Sequence, residues 1–326
     1  MVRTVDVVAP SRLHFGMFSF GHRGGRQFGG VGVMIDRPQT HLRLRPADRL
    51  EVYGLRAERA YDFARRAARA WSLTAVPRCR IDVLSAPREH VGLGVGTQLG
   101  LAVAAGLGAL LGRPALTAEG LARSTGRGVR SAVGTYGFVH GGMVVEAGKS
   151  DPARIGPLAG RVELPVDWRF VLLCPRGGSG LSGAVEARAF RQLPPVPTAT
   201  AETLQRLARE HLLPAAAAGR FDEFSANLYR YGSLAGGCFA ARQGGPFASP
   251  RLTQLVQWIR DAGIDGVGQS SWGPTLFALL PDERSAQQLI DRFRRRPGTD
   301  DLEFTVAAPN RAGARICVTS GERAGR

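Results

Sequence analysis

The chain has 326 residues, 44% hydrophobic and 21% charged, which is a globular composition that excludes a disordered or fibrous protein. Its length is about twice that of a typical domain, so we expect two domains. Of the 43 basic residues all but Lys149 are arginine, and the net charge of +16 indicates an anionic partner such as a phosphorylated metabolite, a nucleic acid or an acidic lipid.

Short strands and helices are predicted along the first half of the chain. Alternating or apolar runs predict strands at 5–10, 31–36, 40–45, 79–84 and 141–146, with a turn after the first strand that leads into 11–16. Helical spacing predicts helices at 61–71, 97–111 and 118–124. The uncharged segment from Val91 to Gly112 raises the question of a membrane span. Its front is dense in glycine and its helical part is only about 22 Å long, so we expect a helix buried in the protein core.

A second set of elements follows a stretch rich in proline, glycine and charge at 149–157. We therefore predict an N-terminal domain of residues 1–157 and a C-terminal domain of residues 158–326. In the second domain we expect strands at 170–175, 275–280 and 302–307, helices at 201–212, 221–232, 250–262 and 283–296, and a proline-rich loop at 193–197. Strands and helices mix without strict βαβ alternation, which predicts an α+β fold.

The cysteines and the first residues indicate the compartment. Cys79, Cys174, Cys238 and Cys317 form no CxxC pair, which is typical of a reducing environment. The N-terminal residues lack the charged and apolar regions of a secretory signal. We expect a cytoplasmic protein that does not associate with a membrane.

The most informative segment is the glycine-rich stretch at 87–100, between a predicted strand and a helix. Gly92, Gly94 and Gly96 allow backbone N–H groups to approach a ligand, and the start of the following helix favours phosphate. The segment has neither the Gly-Lys-Ser/Thr of a P-loop nor GxGxxG spacing. A tight turn in which the glycines only permit close packing is the alternative.

Two further segments carry groups that could bind a ligand. In 9–16, Arg12 can present a planar fork to phosphate or carboxylate, and His14 can act as a general acid or base. The alternative is a strand end with a solvated arginine and a packed histidine. In 266–275, Trp272 could stack on a flat ring beside polar neighbours, although a β-turn of polar residues explains the same pattern.

Together, in this order, the three segments resemble the three motifs of the GHMP-type small-molecule kinase superfamily over nearly the whole chain. The segment 9–16 resembles that superfamily's PGRVNLIGEH-like start. The segment 87–100 resembles its PxxxGLGSSA phosphate loop, and the segment 266–275 resembles its late glycine-rich loop. The resemblance implies an N-terminal domain like domain 2 of ribosomal protein S5 and a ferredoxin-like C-terminal domain. It also implies an active site in the cleft between them.

The departures from the kinase pattern bear on the reaction. Kinases of this superfamily carry an SGxxD-like segment whose aspartate helps to deprotonate the attacking hydroxyl. Here the corresponding run is 131–135, with Gly134 in place of the acid, and the phosphate loop reads Gly-Val-Gly-Thr-Gln instead of GSSA. Without that carboxylate, phosphoryl transfer to an alcohol loses its general base.

This combination resembles one branch of the superfamily, the β-ribofuranosylaminobenzene 5′-phosphate synthases of methanopterin biosynthesis. The matching segments are 11–16, 29–32, 92–98, 126–131 and 268–273. The resemblance implies a decarboxylating phosphoribosyltransferase. Such an enzyme joins phosphoribosyl pyrophosphate to 4-aminobenzoate or 4-hydroxybenzoate and releases carbon dioxide and pyrophosphate.

Site residues follow from this resemblance and from the chemistry it requires. We expect catalytic roles for Arg12, His14 and Arg130. The expected phosphate and pyrophosphate ligands are Gly92, Gly94, Val95, Gly96, Thr97, Gln98 and Ser131. The expected contacts to the aromatic acid and the ribose are Ser11, Phe15, Arg127, Gln269, Ser270, Ser271 and Trp272.

A metal requirement and two other functions stay open. Pyrophosphate commonly binds Mg²⁺, and Asp36, Asp82 and Glu89 could contact this ion. The spacing of these three residues does not match a metal-binding motif. An ATP-dependent kinase is one alternative, and a basic RNA-binding protein is another. Against RNA, the arginines are dispersed; the cluster at 292–296 is more typical of a solvated helix end, so we expect no nucleic-acid partner. The resemblance implies a homodimer.

Overall fold

The computed structural model describes residues 2–22 and 24–321 and has a two-domain α+β fold built on two sheets. The first sheet has the strand order β11-β1-β2-β4-β3, and β5 pairs with both β2 and β6. Its strands are β1 (Val2–Ser19), β2 (Phe28–Pro46), β3 (Glu51–Gly54), β4 (Cys79–Ser85), β5 (Met143–Glu146), β6 (Leu158–Val162) and β11 (Arg315–Gly321). The second sheet has the order β10-β7-β9-β8, from β7 (Arg169–Pro175), β8 (Val267–Gln269), β9 (Leu276–Leu280) and β10 (Leu302–Ala307).

The first motif lies on a continuous strand, so the turn predicted between residue 10 and the segment 11–16 is wrong. β1 pairs with β2 from Val5 to Ser19, with register shifts between Ala9 and Ser11 and between His14 and Gly16. Each shift breaks the period-two pattern on which strand prediction depends, because the side chains that follow it change faces. The segments predicted at 31–36 and 40–45 are parts of the single strand β2.

Helices of the first half cover one face of the first sheet. They are α1 (Ala57–Ala70), α2 (Val95–Leu110), α3 (Ala118–Thr125) and α4 (Val133–His140). Leu99, Leu101 and Leu107 of α2 are buried in one apolar cluster with Val7 and Leu44 of the sheet. This confirms the expected core helix, and no helix in the described part of the chain is long and apolar enough to cross a bilayer.

Strand β7 is apolar and buried from Phe170 to Leu173 because both of its faces are covered there. Phe170 and Leu172 join a cluster that extends to the first sheet, whereas Val171 and Leu173 join a cluster formed with two helices on the other side. The helices of the second half are α5 (Gly183–Gln192), α6 (Thr198–Arg206), α7 (Leu213–Ala217), α8 (Phe221–Gly237), α9 (Ala240–Gln243), α10 (Pro250–Asp261) and α11 (Glu283–Arg294), with a π-helical segment at Leu207–Leu212 between α6 and α7.

The two halves of the sequence interlock at the first sheet. Strands β6 and β11 both follow residue 157, yet β6 pairs with β5 and β11 pairs antiparallel with β1. The division at residue 157 stays a prediction, and the first sheet takes strands from both sides of it.

Candidate active site

A cavity of about 440 Å³ lies where β1, the start of α2 and the loop after β8 meet. Residues from both halves of the chain line it: Arg12, His14, Met17, Arg59, Glu89, His90, 92–97, 126–131, 181–183, Glu186 and 271–273. The three motifs identified in the sequence therefore share one cavity. Among the predicted site residues that line it are Arg12, His14, Thr97, Arg127, Arg130, Ser131, Ser271 and Trp272.

The start of α2 forms one wall of the cavity through its backbone. Gly94 caps the helix with a φ of +72°, and Gly92 has a φ of +87°. A Cβ on Gly92 would lie 2.2 Å from the carbonyl oxygen of Ser270, so only glycine lets the two loops approach. The N–H groups of Val95 and Gly96 donate to no atom of the described residues. Unused N–H groups at the positive end of a helix favour an anion.

Two buried arginines add positive charge to this wall. The Nε of Arg12 is buried and has no hydrogen-bond partner in the described part of the chain. Burial lowers the pKa of Arg12 to about 10; Glu186 opposes the shift and Arg127 adds to it. Arg127 donates to Oγ1 of Thr97 at 3.0 and 3.2 Å, and burial also lowers its pKa to about 10. Both side chains stay cationic at neutral pH, and an anion would offset their repulsion.

The opposite wall is made of side chains around Glu186, at the first turn of α5. Arg130 Nη1 lies 2.7 Å from the Glu186 carboxylate, and Trp272 Nε1 donates to that carboxylate at 3.2 Å. The Arg130 guanidinium also lies 4.9 Å from the ring centroid of Phe190. Trp272 packs edge-on against Phe190 and Phe239, with centroids 5.6 and 4.8 Å apart. This wall offers an aromatic surface beside a fixed cation, which suits a flat ring that bears a charge.

His14 lines the cavity and is hydrogen-bonded to a serine in the cavity wall. Its Nε2 lies 3.0 Å from Oγ of Ser131. Burial, followed by the charge of Arg12, holds the pKa of His14 well below its usual range, so the imidazole is neutral. The Oγ of Ser131 also accepts the Val133 N–H at 3.3 Å. Nearby, Glu146 is a buried carboxylate on β5 that accepts the N–H of Ala132 at 2.7 Å. Burial raises the pKa of Glu146 to about 7, although the hydrogen bond from Ala132 opposes the shift.

Several predicted ligands lie behind the cavity wall rather than on it. Ser270 is fully buried, where its Oγ accepts the His14 N–H at 3.0 Å and donates to the Gly92 carbonyl at 2.7 Å. Ser11 is buried and donates to the carbonyl of Pro38 at 2.6 Å. Ser270 thus connects the first motif to the glycine-rich segment at 87–100. The hydroxyl groups of Ser270 and Ser11 both have hydrogen-bond partners inside the protein.

Two glutamines and a phenylalanine that were predicted to contact a ligand also lie behind the cavity wall. Gln98 is buried and donates to the Gly134 carbonyl at 2.9 Å. Gln269 accepts the Ala248 N–H at 2.7 Å and donates to the Ser271 carbonyl at 2.9 Å. Phe15 packs on Phe277 and, with Gln269, lines a smaller apolar cavity behind Trp272. Gln98 therefore suits support of the wall better than the predicted contact with phosphate, and Gln269 and Phe15 suit support better than the predicted contact with the aromatic acid or the ribose.

Gly134 marks the place of the missing kinase carboxylate. A Cβ there would lie 3.4 Å from Gln98 Nε2, 3.5 Å from Arg12 Cδ and 3.6 Å from Thr97 Cγ2, all ordinary contact distances. The position therefore faces Arg12 and the start of α2, and the sequence supplies no acid at it.

Three charged groups at or near the site were not identified from the sequence. Arg59 comes from α1, and Glu186 comes from a segment without a recognised motif. Glu146 ends a predicted strand that is apolar in its other positions. A charged residue closing a buried strand is the one signal that could have identified Glu146, whereas only the tertiary structure brings the other two to the cavity.

The three carboxylates considered as Mg²⁺ contacts have partners within the protein, and of the three Glu89 lines the cavity. Glu89 pairs with Arg56 at 3.1 Å and also with Arg59, while Asp36 accepts the Ala308 N–H at 2.8 Å and Asp82 pairs with Arg80. Within residues 2–22 and 24–321, no group of three or more His, Cys, Asp or Glu side chains could hold a metal ion. These three carboxylates are therefore poorly suited to be metal ligands.

Comparison with known proteins relates the chain to one group of synthases. A family model described as GHMP kinases C terminal matches residues 212–299. A beta-ribofuranosylphenol 5′-phosphate synthase of Archaeoglobus fulgidus is 31% identical over 93% of this chain and 96% of its own length. A synthase with the same name from Methanothermobacter thermautotrophicus is 28% identical over 87% of this chain and 91% of its own.

Solved structures share the fold at low sequence identity. A homoserine kinase from Cytophaga hutchinsonii matches with a TM-score of 0.64 and 16% identity, covering 96% of this chain and 97% of its own. A mevalonate diphosphate decarboxylase from Staphylococcus aureus matches with a TM-score of 0.64 and 16% identity, covering 97% and 98%. These likenesses confirm the expected GHMP-kinase-like fold.

Proposed function

The chain belongs to the family of the beta-ribofuranosylphenol 5′-phosphate synthases, and on that premise we propose that it is a decarboxylating phosphoribosyltransferase. It transfers the ribosyl 5-phosphate group of phosphoribosyl pyrophosphate to the ring carbon of an aromatic acid. Because the relatives are named for a phenol product, we propose 4-hydroxybenzoate as the acceptor ahead of 4-aminobenzoate. The reaction belongs to methanopterin biosynthesis.

The observation that carries this proposal is the charged cavity around the open start of α2. Its wall contains Arg12, Arg59, Arg127 and Arg130, against two carboxylates that are both paired with arginine. A donor with a 5-phosphate and a pyrophosphate supplies the anions that such a wall requires.

The first chemical step is departure of the pyrophosphate. The bond between ribose C1 and the pyrophosphate oxygen breaks, and its electron pair leaves with pyrophosphate. The N–H groups of Val95 and Gly96 and the guanidinium of Arg12 stabilise that negative charge as the sugar becomes cationic. These donors are fixed before the reaction, so they need no reorganisation as the charge develops.

The second step joins the ring to the sugar. The ring carbon that bears the carboxylate forms a bond to ribose C1, and the bond from that carbon to the carboxylate then breaks. Its electron pair restores the aromatic ring and releases carbon dioxide. Trp272 supports the face of the ring, and Arg130, held by Glu186, binds the carboxylate before it leaves.

A single assay tests the function. Purified protein is mixed with phosphoribosyl pyrophosphate and carboxyl-labelled 4-hydroxybenzoate, without ATP. We expect labelled carbon dioxide and pyrophosphate in equal amounts. ATP consumption with an alcohol acceptor, and no carbon dioxide, would instead establish a kinase.

The alternative functions have less support from the described residues. Gly134 provides no carboxylate to deprotonate an alcohol, which disfavours the kinase. The basic cluster at 292–296 closes α11, and Arg296 stacks on Trp258 with its Cζ 3.9 Å from the ring centroid, which suits a helix end better than an RNA surface.

Compartment and assembly are proposals of the same kind. The four cysteines are free, which suits the reducing cytoplasm. We propose a cytoplasmic homodimer, as the resemblance implies. Light scattering of the purified protein at micromolar concentration tests the dimer.

A further inference from the structure

Helix α2 carries two glycines on the face that packs against α1. Gly96 and Gly100 are four residues apart, and neither has the positive φ that favours glycine. A Cβ on Gly100 would lie 2.8 Å from Cε1 of Phe63, and a Cβ on Gly96 would lie 2.8 Å from Cζ of Arg59. Glycine is less favourable than alanine in a helix, so each glycine is explained by the α1 side chain that it admits.

The two side chains of α1, also four residues apart, use this room differently. The ring of Phe63 is buried in the apolar cluster between the helices and the first sheet. The side chain of Arg59 is 35% exposed and lines the cavity. Gly100 therefore serves core packing, whereas Gly96 lets a guanidinium group approach the open start of α2.

The guanidinium group of Arg59 is divided between a protein partner and the cavity. Its Nη1 forms an ion pair with Oε1 of Glu89. Its Nη2 is the atom nearest to the Cβ position of Gly96, and within residues 2–22 and 24–321 it donates to no acceptor. The N–H of Gly96 also lacks a partner there. Unused side-chain and backbone donors therefore meet at the start of α2.

The positive charge around Arg59 exceeds the negative charge that the protein supplies. Glu89 is shared with Arg56, whose Nη1 lies 3.1 Å from Oε2, and one carboxylate cannot neutralise two guanidinium groups. Arg127 donates to Oγ1 of Thr97 at 3.0 Å, and the charge of Arg59, after burial, is the next cause that lowers its pKa. An anion bound by Arg59 and Arg127 would relieve this repulsion.

Building on the proposed function, we propose that Arg59 is a pyrophosphate-binding residue and that position 96 is glycine in order to admit it. The Nη2 of Arg59 donates to an oxygen of the pyrophosphate group that the start of α2 binds. When the bond from ribose C1 breaks, its electron pair leaves with pyrophosphate, and this charge-assisted hydrogen bond strengthens as the negative charge grows. Glu89 holds Nη1 and leaves Nη2 for the ligand.

Calorimetric titration with inorganic pyrophosphate tests the proposal without turnover. We expect Arg59→Ala to raise the Kd for pyrophosphate about tenfold, as for loss of one charge-assisted hydrogen bond, and to leave the Kd for ribose 5-phosphate unchanged. Arg65→Ala, at an exposed arginine on the same helix, is the matched control and should bind both probes as the wild type does.

Two results of this titration would overturn the proposal. An unchanged Kd for pyrophosphate in Arg59→Ala would leave Arg59 as the partner of Glu89 alone. An equal loss of affinity for pyrophosphate and ribose 5-phosphate would show that Arg59 does not distinguish the leaving group from the 5-phosphate.

A double-mutant cycle tests the role of Gly96. Gly96→Ala keeps Arg59 but moves its guanidinium group away from the helix start, so we expect a loss of pyrophosphate affinity close to that of Arg59→Ala. Resistance to urea should be at least that of the wild type, because alanine is the better helix residue. In the Arg59→Ala background the same substitution should change the Kd less than about twofold. A full loss in that background would show that Gly96 meets the ligand itself and would overturn its assignment to Arg59.

The proposal and the proposed function fail separately. In the assay with labelled 4-hydroxybenzoate, Arg59→Ala should lower kcat/KM for phosphoribosyl pyrophosphate about tenfold and leave KM for the acid unchanged. Normal kinetics and normal pyrophosphate affinity in this variant would overturn the role of Arg59 and leave the transfer standing. Wild-type protein that binds pyrophosphate through Arg59 but releases no carbon dioxide would overturn the transfer and leave the anion site standing.

Discussion

Helices α2 and α4 both begin at the wall of the same cavity, but their first N–H groups are treated in opposite ways. At α2 the N–H groups of Val95 and Gly96 donate to nothing in the described residues. At α4 the Ala132 N–H donates to Glu146 at 2.7 Å, and the Val133 N–H donates to Ser131 Oγ at 3.3 Å. One helix start is closed by the protein's own carboxylate, and the other is open to an anion from outside.

The difference between the two helix starts shows where the protein itself supplies a negative charge. A helix start requires acceptors for its first N–H groups, and an anion is the most favourable of them. At α4 the protein supplies that anion from β5. At α2 it supplies glycine and arginine, which leaves the anion to the substrate. The comparison predicts that substitutions at α2 alter catalysis, while substitutions at α4 also alter the pH dependence of stability.

Blocking the open helix start should have the largest effect. Gly94→Val puts a branched side chain at a φ of +72°, with its Cβ 3.1 Å from Arg12 Nε. We expect turnover to fall about 100- to 1000-fold, as for loss of a well-placed donor at a developing anion. Carbon dioxide release measures it. Gly108→Ala, in the same helix, is the control, because a Cβ at this position would lie 3.9 Å from its nearest neighbour. Near-normal turnover in Gly94→Val would refute the proposal that the start of α2 binds phosphate.

Removing the charge of Glu146 at the start of α4 should change how the free energy of unfolding depends on pH. The pKa of Glu146 is about 7 in the folded protein against a model value of 4.5, so between these pH values the folded state binds more protons. The free energy of unfolding of the wild type should therefore fall by about 3 kcal/mol as the pH rises from 4.5 to 7.

Glu146→Gln removes this dependence and should be the more stable protein at pH 8, by about 3 kcal/mol, with little difference below pH 4.5. Urea unfolding at pH 5 and pH 8 measures the difference. A wild type whose stability does not change over this range would show that the carboxylate is not strained by burial.

Removing the cation beside the open helix start should have a smaller effect. Arg12→Ala deletes charge-assisted hydrogen bonds, which are worth about 1.5–3 kcal/mol, so we expect kcat/KM for the donor to fall about 10- to 100-fold. Arg12→Lys should recover only part of the loss because it lacks the planar fork. Arg69→Ala, an exposed residue on α1, is the control; unchanged kinetics in Arg12→Ala would assign Arg12 to structure alone.

The smallest effect is expected at Thr97. Thr97→Val keeps the shape and removes the Oγ1 that accepts from Arg127 at 3.0 Å. Loss of one such hydrogen bond costs about 1 kcal/mol, so kcat/KM for the donor should fall about fivefold. A loss as large as that of Gly94→Val would mean that the hydroxyl itself binds the pyrophosphate.

The sequence predicted the elements whose patterns are local. Helix α2, its glycine-rich entry and strand β7 follow from hydrophobic period and glycine spacing, which need no knowledge of distant residues. It also predicted that the three motifs act together, because their order matched a known family pattern. The missing acid at Gly134 could be identified in the same way.

Only the tertiary structure decided which polar groups face the ligand and which face the protein. Ser270 and Gln98 have polar side chains that could bind a ligand. Both instead donate hydrogen bonds to backbone carbonyl groups of other segments, Ser270 to Gly92 and Gln98 to Gly134. Glu186 and Glu146 lie outside the recognised motifs, yet Glu186 pairs with Arg130 and Glu146 accepts the Ala132 N–H at the start of α4. The side-chain period of a strand and the glycines of a loop are local properties. The partner of a polar atom can be a residue 256 positions away, as for Ser270 and His14.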